Sequence, residues 1–297
     1  YTSATGGSAS ANAPTPSSST VGIANYYVSQ TNTVGCESPR ALLSVTINTT
    51  PVAPSVNNIT YCQNATTVSL TASSTLGNSF LWYSQSVGGV GSATAPIPSS
   101  SVLGNTNYYV SQVDINNCES FREVLSATIV ANPSAPIVSN AVYCVNASAS
   151  PLSATASSGN SLQWYTNSNG TGNASAATPI PSTVNSGTFN FYVRQVSSNN
   201  CQSPIATINV LVNPNPAPPS VSNITYCKDA ATIPLTAAAL ANHSLRWYTQ
   251  AIGGSYSTTA PTPSSAAVGQ QNFYVAQVNA SACESARSLL TVTINPI

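Results

Sequence analysis

Charge is the scarcest property of this 297-residue sequence: only 4% of the residues are charged, and the formal net charge is zero. A chain with so little charge has no basic surface of the kind that nucleic acids require, so no nucleic-acid partner is expected. Long hydrophobic runs are also missing. None approaches the roughly 18 apolar residues of a membrane span, so no membrane insertion is expected in this segment.

The side chains used in catalysis and metal binding are equally rare. His243 is the only histidine, and no recurring nucleophile or base lies beside it. Asp114 and Asp229 are the only aspartates, which is too few for clustered calcium ligands. No cysteine spacing matches a zinc site. The sequence therefore predicts a protein that is not an enzyme and has no cofactor or metal.

What the sequence does contain is a repeat. The motif Asn-aromatic-Tyr-Val occurs four times, 82 or 83 residues apart, and a cysteine follows its tyrosine nine positions later in every copy. The four tyrosines are Tyr27, Tyr109, Tyr192 and Tyr274. Self-similarity at a fixed period indicates a tandem array. We expect complete repeats at 51–132, 133–214 and 215–297, separated by short proline-rich joints that act as semi-rigid spacers.

Each repeat has the pattern of a small β domain. Val68, Leu70 and Ala72 alternate with polar residues, and Phe80 and Trp82 lie two positions apart, which places both on one face of a strand. Short strands, one core Trp and a Tyr on a late strand are typical of an immunoglobulin-like sandwich. The predicted fold class is all-β: tandem Ig-like β-sandwich repeats of about 82 residues in a linear array.

Residues 1–50 match only part of this unit. Tyr1 through Pro16 aligns with Tyr83 through Pro98, so Tyr1 corresponds to the tyrosine that follows the core Trp. We therefore interpret 1–50 as the C-terminal part of a truncated Ig-like repeat. We also expect the chain to be one piece of a longer repetitive protein.

Seven cysteines in a β-rich chain with little charge favour an oxidising, extracellular compartment. Pairing within repeats would join Cys62–Cys118, Cys144–Cys201 and Cys227–Cys283, leaving Cys36 for a missing upstream cysteine. Pairing across joints would instead join Cys36–Cys62, Cys118–Cys144 and Cys201–Cys227. A last strand of about ten residues, roughly 33 Å long, would separate Cys201 from the joint, whereas bridged Cα atoms lie within about 7 Å. We therefore favour pairing within repeats.

The recurring motifs Tyr-Cys, Trp-Tyr, Tyr-Val-x-Gln and Cys-Glu-Ser-x-Arg resemble those of the Ig-like repeats of Bacteroidota surface proteins. Such modules form very large adhesins exported by type 9 secretion, including gliding-motility adhesins. The resemblance implies an extracellular position on a bacterial cell surface and a role as a stalk or filament. Its partners would be neighbouring repeats of the same long chain, with lateral protein partners also open.

Three tyrosines are candidate binding residues. Tyr83, Tyr165 and Tyr248 each follow a core Trp, so each is expected to point out of the sheet. Tyr108 and its equivalents are expected beside them, and such an aromatic patch stacks on sugars or packs against proteins. The alternative function is therefore a set of carbohydrate-binding modules for surface glycans. The neighbouring Glu119 and Arg122 are interpreted as a local ion pair.

Overall fold

The structure is a computed structural model, and residues 1–74 and 77–297 are described. Every regular element in these ranges is a β-strand. The chain divides into two compact units, Tyr1–Asn132 and Pro133–Ile297, which are described separately.

The first unit contains a two-stranded hairpin followed by a four-stranded sheet. β1 (Gly22–Val28) pairs antiparallel with β2 (Ala41–Ile47) in the part of the chain before residue 51. In the complete repeat that follows, the sheet order is β3-β6-β5-β4. These strands are β3 (Ile59–Cys62), β4 (Ser79–Tyr83), β5 (Gly104–Val113) and β6 (Glu123–Val130).

The second unit contains two further sheets with the same order, β8-β12-β11-β10 and β14-β18-β17-β16. In the repeat at 133–214 the strands are β7 (Ile137–Val138), β8 (Ala141–Cys144), β9 (Ala154–Thr155), β10 (Ser161–Tyr165), β11 (Gly187–Val196) and β12 (Ala206–Asn213). In the repeat at 215–297 they are β13 (Ser220–Val221), β14 (Ile224–Cys227), β15 (Ala237–Ala238), β16 (Ser244–Tyr248), β17 (Gly269–Val278) and β18 (Ser288–Asn295).

Each four-stranded sheet is mixed. Within each repeat, the last three strands form an antiparallel meander, whereas the strand that ends in Tyr-Cys pairs parallel with the last of these three. A small second layer is formed by the short pairs β7–β9 and β13–β15, and by a bridge between Ser55 and Ser73 in the first unit. The all-β, Ig-like fold class is confirmed.

A buried tryptophan on the edge strand of each four-stranded sheet organises the core. Trp82 is 4% exposed and packs with Val110, Leu125 and Leu70, all of which are buried. The same set recurs in the other repeats as Trp164, Val193, Ile208 and Leu152, and as Trp247, Val275, Leu290 and Leu235. Alternate residues of β12 are buried and exposed, as expected for a strand with one face on a core.

The segment from Val68 to Ala72, which was expected to be a strand, crosses the core without regular pairing. The Leu70 N–H donates to the Pro96 carbonyl at 2.9 Å, and Thr67 Oγ1 donates to the Pro98 carbonyl at 2.7 Å. Because prolines lack an N–H, the facing segment can only accept at these positions. Leu70 therefore lies in the core on an extended segment that is held by individual hydrogen bonds and is not part of a β-sheet.

Candidate functional site

In each complete repeat, the strand that ends in Tyr-Cys runs parallel to the last strand. This direction places the two cysteines of the repeat at opposite ends of its sheet. We call the end where the last strand begins the leading end, and the end where it finishes the trailing end. Cys144 lies beside Asn213 at the trailing end, while Cys201 lies in the hairpin that precedes Ala206 at the leading end. The eight-residue strand β12 spans roughly 25 Å between them. A disulfide needs Cα atoms within about 7 Å, so the two cannot pair.

One disulfide connects the second and third complete repeats. Cys144 is bonded to Cys283, with Cα atoms 5.5 Å apart. Cys62 and Cys201 are also disulfide-bonded, and Cys36, Cys118 and Cys227 are free.

Both pairings considered from the sequence are therefore wrong. Cys62–Cys118 and Cys227–Cys283 each require a cysteine that is free, and Cys144–Cys201 requires one that is bonded elsewhere. The cross-joint alternative fails as well, since Cys36–Cys62, Cys118–Cys144 and Cys201–Cys227 each include a free cysteine. The error came from placing the Tyr-Cys cysteine at the same end as the hairpin cysteine.

The joint between the second and third complete repeats explains why Cys144 meets Cys283. The chain leaves one sheet at its trailing end, after Asn213, and starts the next sheet at its leading end, where the hairpin carrying Cys283 lies. In this hairpin Asn279 Nδ2 donates to the Pro214 carbonyl at 3.3 Å. The disulfide and this hydrogen bond fasten the hairpin of one repeat to the trailing end of the repeat before it.

A buried glutamine also binds the backbone of each joint. Gln112, Gln195 and Gln277 occupy the last position of the Tyr-Val-x-Gln motif, and each is at most 1% exposed. Their Nε2 atoms donate to backbone carbonyls of the proline-rich joints, at 2.5 Å to Val52, 2.6 Å to Ser134 and 2.5 Å to Ala217. A buried amide must find partners because leaving it unpaired costs about 1–3 kcal/mol.

The amide oxygens of Gln112 and Gln277 also have hydrogen-bond partners. Gln112 Oε1 accepts from Asn78 Nδ2 at 3.1 Å, and Gln277 Oε1 accepts from the Leu240 N–H at 2.7 Å. Each of these glutamines therefore connects the joint to the loop before the Trp strand. This role was not predicted from the sequence, although a polar residue that recurs within an otherwise apolar strand was a visible signal.

The three candidate tyrosines lie on the sheet face opposite the core Trp, as expected, but they are covered. Tyr83 is 8% exposed. The Arg122 guanidinium stacks on its ring with Cζ 3.2 Å from the centroid, and Tyr83 Oη donates to Glu119 at 2.6 Å. Arg122 Nη1 also donates to the carbonyls of Gln85 and Gly88, at 2.8 and 2.7 Å. We call this arrangement of Tyr, Arg and Glu the tyrosine clasp.

A close backbone approach shields the Tyr83 ring further. A Cβ built on Gly91 would lie 2.7 Å from both Cζ and Oη of Tyr83, so only glycine fits there without displacing the ring. The neighbouring aromatic is Tyr109, which is paired with Tyr83 in register. Tyr108 instead packs on the core side with Trp82. The expected exposed patch of Tyr83 and Tyr108 is therefore not formed.

The repeat at 133–214 builds the clasp from different residues. It has Gln202 in place of the glutamate and Ile205 in place of the arginine, and Arg194 of β11 lies over Tyr165 at 4.8 Å. Arg194 donates to Gln202, and its Nη2 occupies the space that a side chain at Gly170 would need. Tyr165 is 8% exposed. The tyrosine is thus covered even though the Glu and Arg are both lost.

The clasp in the third complete repeat contains an additional ion pair. Tyr248 is 6% exposed, lies under Arg287 at 3.2 Å and donates to Glu284 at 2.5 Å. Arg246 Nη1 pairs with Glu284 at 2.8 Å. This hydrogen bond raises the pKa of Arg246, and burial together with Glu284 raises the pKa of Tyr248.

Hydrogen bonds in the clasp of the first complete repeat shift the pKa values of its carboxyl and its tyrosine. Ser111 and Tyr83 both donate to Glu119, and these bonds hold the pKa of that carboxyl below its usual range. Burial is the larger reason for the raised pKa of Tyr83, followed by its bond to Glu119. Among the described residues, the expected local Glu–Arg pair reaches 4 Å only for Glu37 and Arg40, at 3.9 Å. Arginine serves the clasp mainly as a stacking and carbonyl-binding group.

The residues that the structure describes include no group of three metal-binding side chains. No helix among them is long and apolar enough to cross a membrane. His243 forms a local contact, with Nδ1 2.8 Å from the Ala241 carbonyl.

One protein family matches the chain three times, at residues 51–131, 133–214 and 216–296. The family is described as "Ig-like domain CHU_C associated". The chain belongs to this family. The resemblance to Ig-like repeats of Bacteroidota surface proteins is thereby confirmed, and the family's fold is typical of extracellular domains that are not enzymes. No curated protein matches the chain.

Solved structures similar to this chain include other tandem arrays. Domains 3–5 of Drosophila OTK are 11% identical, with 82% of this chain and 96% of that chain covered and a TM-score of 0.28. Immunoglobulin domains 1–4 of Sidekick-1 are 11% identical, with 92% and 90% covered and a TM-score of 0.23. The three N-terminal domains of the Hoc protein of bacteriophage RB49 are 11% identical, with 83% and 99% covered and a TM-score of 0.37. Scores this low carry no functional argument.

Proposed function

We propose that this chain is a segment of the non-enzymatic stalk of a large repetitive adhesin on a bacterial cell surface. Its repeats hold an adhesive region away from the cell, and neighbouring repeats of the same long chain are their main partners. The proposal includes export by type 9 secretion and use in surface attachment or gliding motility. It is supported by the family of the repeats and by the way in which consecutive repeats are fastened.

The observation that carries the proposal is the bond between Cys144 and Cys283. It connects residues 139 positions apart in the sequence. Tension applied along the chain passes from Cys144 through the two sulfur atoms to Cys283. The backbone between them, which includes most of two repeats, is therefore bypassed. A stalk benefits from this arrangement because the bypassed backbone cannot lengthen under tension.

The buried glutamines support the same function at the joints. Each joint carbonyl is held by a side chain at most 1% exposed, so the proline-rich segments are attached to the repeat that follows them. In repeat arrays each unit contacts only its neighbours, and bending is set by these local connections. Joints fastened in this way limit bending between repeats.

Single-molecule stretching of the whole chain from its termini tests the proposal. In the oxidised chain, at least the backbone from Cys144 to Cys283, a sequence separation of 139, is hidden from extension, which corresponds to about 46 nm at ~3.3 Å per residue. We expect reduction by a small-molecule thiol to release at least this length. The variant Cys144→Ser is expected to extend further than the oxidised parent.

The matched control is Cys36→Ser, which removes a free thiol and is expected to leave the hidden length unchanged. An oxidised chain that extends as far as the reduced chain would contradict the mechanical function. Labelling intact source cells with an antibody against the chain tests the location separately, because a surface stalk is reached without breaking the cells.

The carbohydrate-binding alternative is not favoured. It requires open tyrosine faces, whereas Tyr83, Tyr165 and Tyr248 are at most 8% exposed and have an arginine over the ring. Sugar stacking needs the aromatic face that the arginine occupies.

A further inference from the structure

Arg194 is the only charged side chain in the repeat at 133–214, which contains no aspartate, glutamate or lysine. In the other complete repeats, Glu119 and Glu284 supply the clasp with a carboxylate. The equivalent residue here is Gln202, which is neutral. Arg194 Nε is buried and has no hydrogen-bond partner among the described residues. The clasp of this repeat therefore contains an arginine whose charge is not balanced.

The loop beside this arginine contains the only Asn-Gly sequence of the chain, Asn169-Gly170. Arg194 Nη2 lies against Gly170, in the space that a Cβ there would need. Val87 and Ile252 occupy the equivalent position, five residues after the core Trp, in the other complete repeats. The asparagine therefore occurs in the repeat whose arginine is unbalanced.

An Asn-Gly sequence is able to modify itself. The backbone nitrogen of the glycine attacks the side-chain carbonyl carbon of the asparagine, ammonia leaves, and a cyclic succinimide forms. Glycine permits this attack best because it has no side chain to obstruct the close approach. Water then opens the ring at either carbonyl, which yields aspartate or isoaspartate. Both products carry a carboxylate that the asparagine lacked.

The folded loop prepares Asn169 for this reaction. Its Oδ1 accepts from the Thr171 N–H at 3.2 Å and from Thr171 Oγ1 at 2.8 Å. A bond to the N–H two residues on folds an asparagine side chain back over the residue between, which here is Gly170. As the Gly170 nitrogen attacks, negative charge develops on Oδ1, and both donors of Thr171 stabilise it. Asn169 is also exposed to the water that opens the ring.

The guanidinium of Arg194 favours the same reaction electrostatically. Attack requires the Gly170 nitrogen to lose its proton, and a nearby positive charge stabilises the anion that forms. The Gly170 N–H donates only a long hydrogen bond, at 3.4 Å to the Asn167 carbonyl. The positive charge also stabilises the carboxylate of the product.

We propose that Asn169 is a site of spontaneous deamidation, at which the folded chain converts a neutral amide into a carboxylate beside Arg194. The bond from the Gly170 nitrogen replaces the bond to the amide nitrogen, which takes the Gly170 proton and leaves as ammonia. Water then supplies the hydroxyl of the new acid and returns a proton to the Gly170 nitrogen. The product gives this repeat the negative charge that Gln202 does not provide. The inference rests on this loop and is independent of the proposed stalk function.

Incubating the folded chain at neutral pH in heavy-oxygen water tests the proposal. After digestion, we expect mass spectrometry to show that the peptide containing Asn169 has lost ammonia and gained one heavy oxygen. Asn167 is the internal control, because it lies in the same loop but is followed by Ser168, and it should stay an amide. In Asn169→Gln the ring to be closed is larger, so this variant should stay unmodified over the same period.

The variant Thr171→Val tests the part played by the fold, since it removes the hydroxyl donor and keeps the N–H. We expect it to slow deamidation of the folded chain by roughly 2- to 10-fold, the rate equivalent of one hydrogen bond. In urea, where the loop is unfolded, the variant and the parent should react equally fast. Equal slowing in both conditions would contradict the role of Thr171.

Two results would overturn the proposal. One is a folded chain that keeps Asn169 as an amide while the chain in urea converts it, since the loop would then protect the asparagine. The other is conversion of Asn167 as fast as Asn169.

The effect of the new charge is measured separately. Asn169→Asp is expected to raise Tm by a few degrees at low salt, because the carboxylate balances Arg194. The same substitution made in Arg194→Gln should give no gain, since the positive charge is then missing. An equal gain in both backgrounds would contradict the pairing of the carboxylate with Arg194.

Discussion

The part of the chain before residue 51 and the complete repeat at 51–132 share a hairpin and a clasp. In both, an arginine stacks on a tyrosine at 3.2 Å from the ring centroid: Arg40 on Tyr1, and Arg122 on Tyr83. Tyr1 donates to Glu37 at 2.5 Å, just as Tyr83 donates to Glu119. In both regions the clasp is built from one hairpin and the loop that the arginine reaches.

The two regions differ in their cores. Leu43 is 59% exposed, whereas its equivalent Leu125 is 1% exposed and packs on Trp82. A cavity of about 660 Å³ in the first region is lined by Tyr1, Tyr26 and Leu43 among others. The two regions thus differ in which contacts they contain: both have the polar and stacking contacts of the clasp, whereas only the complete repeat contains the Trp strand and the Tyr-Cys strand that cover the leucine.

The largest expected effect comes from the core leucines. Leu125→Ala removes a fully buried side chain, and we expect it to lower the free energy of unfolding of its repeat by about 2–5 kcal/mol. Leu43→Ala, at the equivalent exposed position, should change stability by less than about 0.5 kcal/mol. Hydrogen exchange of the peptides that cover β5 and β6, compared with those that cover β1 and β2, measures both. Equal losses of stability in Leu125→Ala and Leu43→Ala would contradict the difference between the cores of the two regions.

A smaller difference is expected for the glutamine that holds the joint. Gln112 is buried and bound to Val52, whereas its equivalent Gln30 is exposed. Gln112→Ala removes the buried amide that bonds to both the Val52 carbonyl and Asn78 Nδ2, so we expect the free energy of unfolding to fall by about 1–3 kcal/mol. Hydrogen exchange should then rise in the joint around Val52. The matched variant Gln30→Ala should leave exchange unchanged, and a similar rise there would rule out burial as the reason.

The repeat period, the strand alternation and the core Trp were sufficient to predict the fold, because the period gives the length of a unit and the other two report which face of a strand is buried. The cysteine pairing was not predictable in this way. Alternation shows that the strand ending in Cys144 is half-buried, but it does not show whether that strand runs parallel or antiparallel to its neighbour. That direction alone decides at which end of the sheet the cysteine lies.

The arginine that lies over each tyrosine was not predicted from the sequence, for a related reason. The spacing of Glu119 and Arg122 was visible and was interpreted as an ion pair between near neighbours. A guanidinium has a planar face as well as donors, and in the folded hairpin Arg122 reaches back to Tyr83. Long side chains that contact residues far away in the sequence are not revealed by local spacing.

The smallest expected effect is the pH dependence of the two clasps. The pKa of Glu119 is lowered mainly by Ser111 and then by Tyr83, and that of Glu37 by Ser29 and then by Tyr1. A carboxyl with a lowered folded pKa stabilises the fold fully above its unfolded pKa, about 4.3 for Glu. That stability is lost as the pH falls through the folded pKa. Glu119→Gln should therefore lower Tm at pH 7, and its difference from the parent should shrink between about pH 5 and pH 3.

Glu123→Gln provides the control, since Glu123 lies at the exposed start of β6 and outside the clasp. The same titration with Glu37→Gln sharpens the comparison between the two regions. If the clasp acts locally, Glu37→Gln should show the same direction of pH dependence in the exchange of β1 and β2, despite the exposed core beside it. A pH-dependent loss confined to Glu119→Gln would show instead that the clasp contributes only where the buried core holds the hairpin in place.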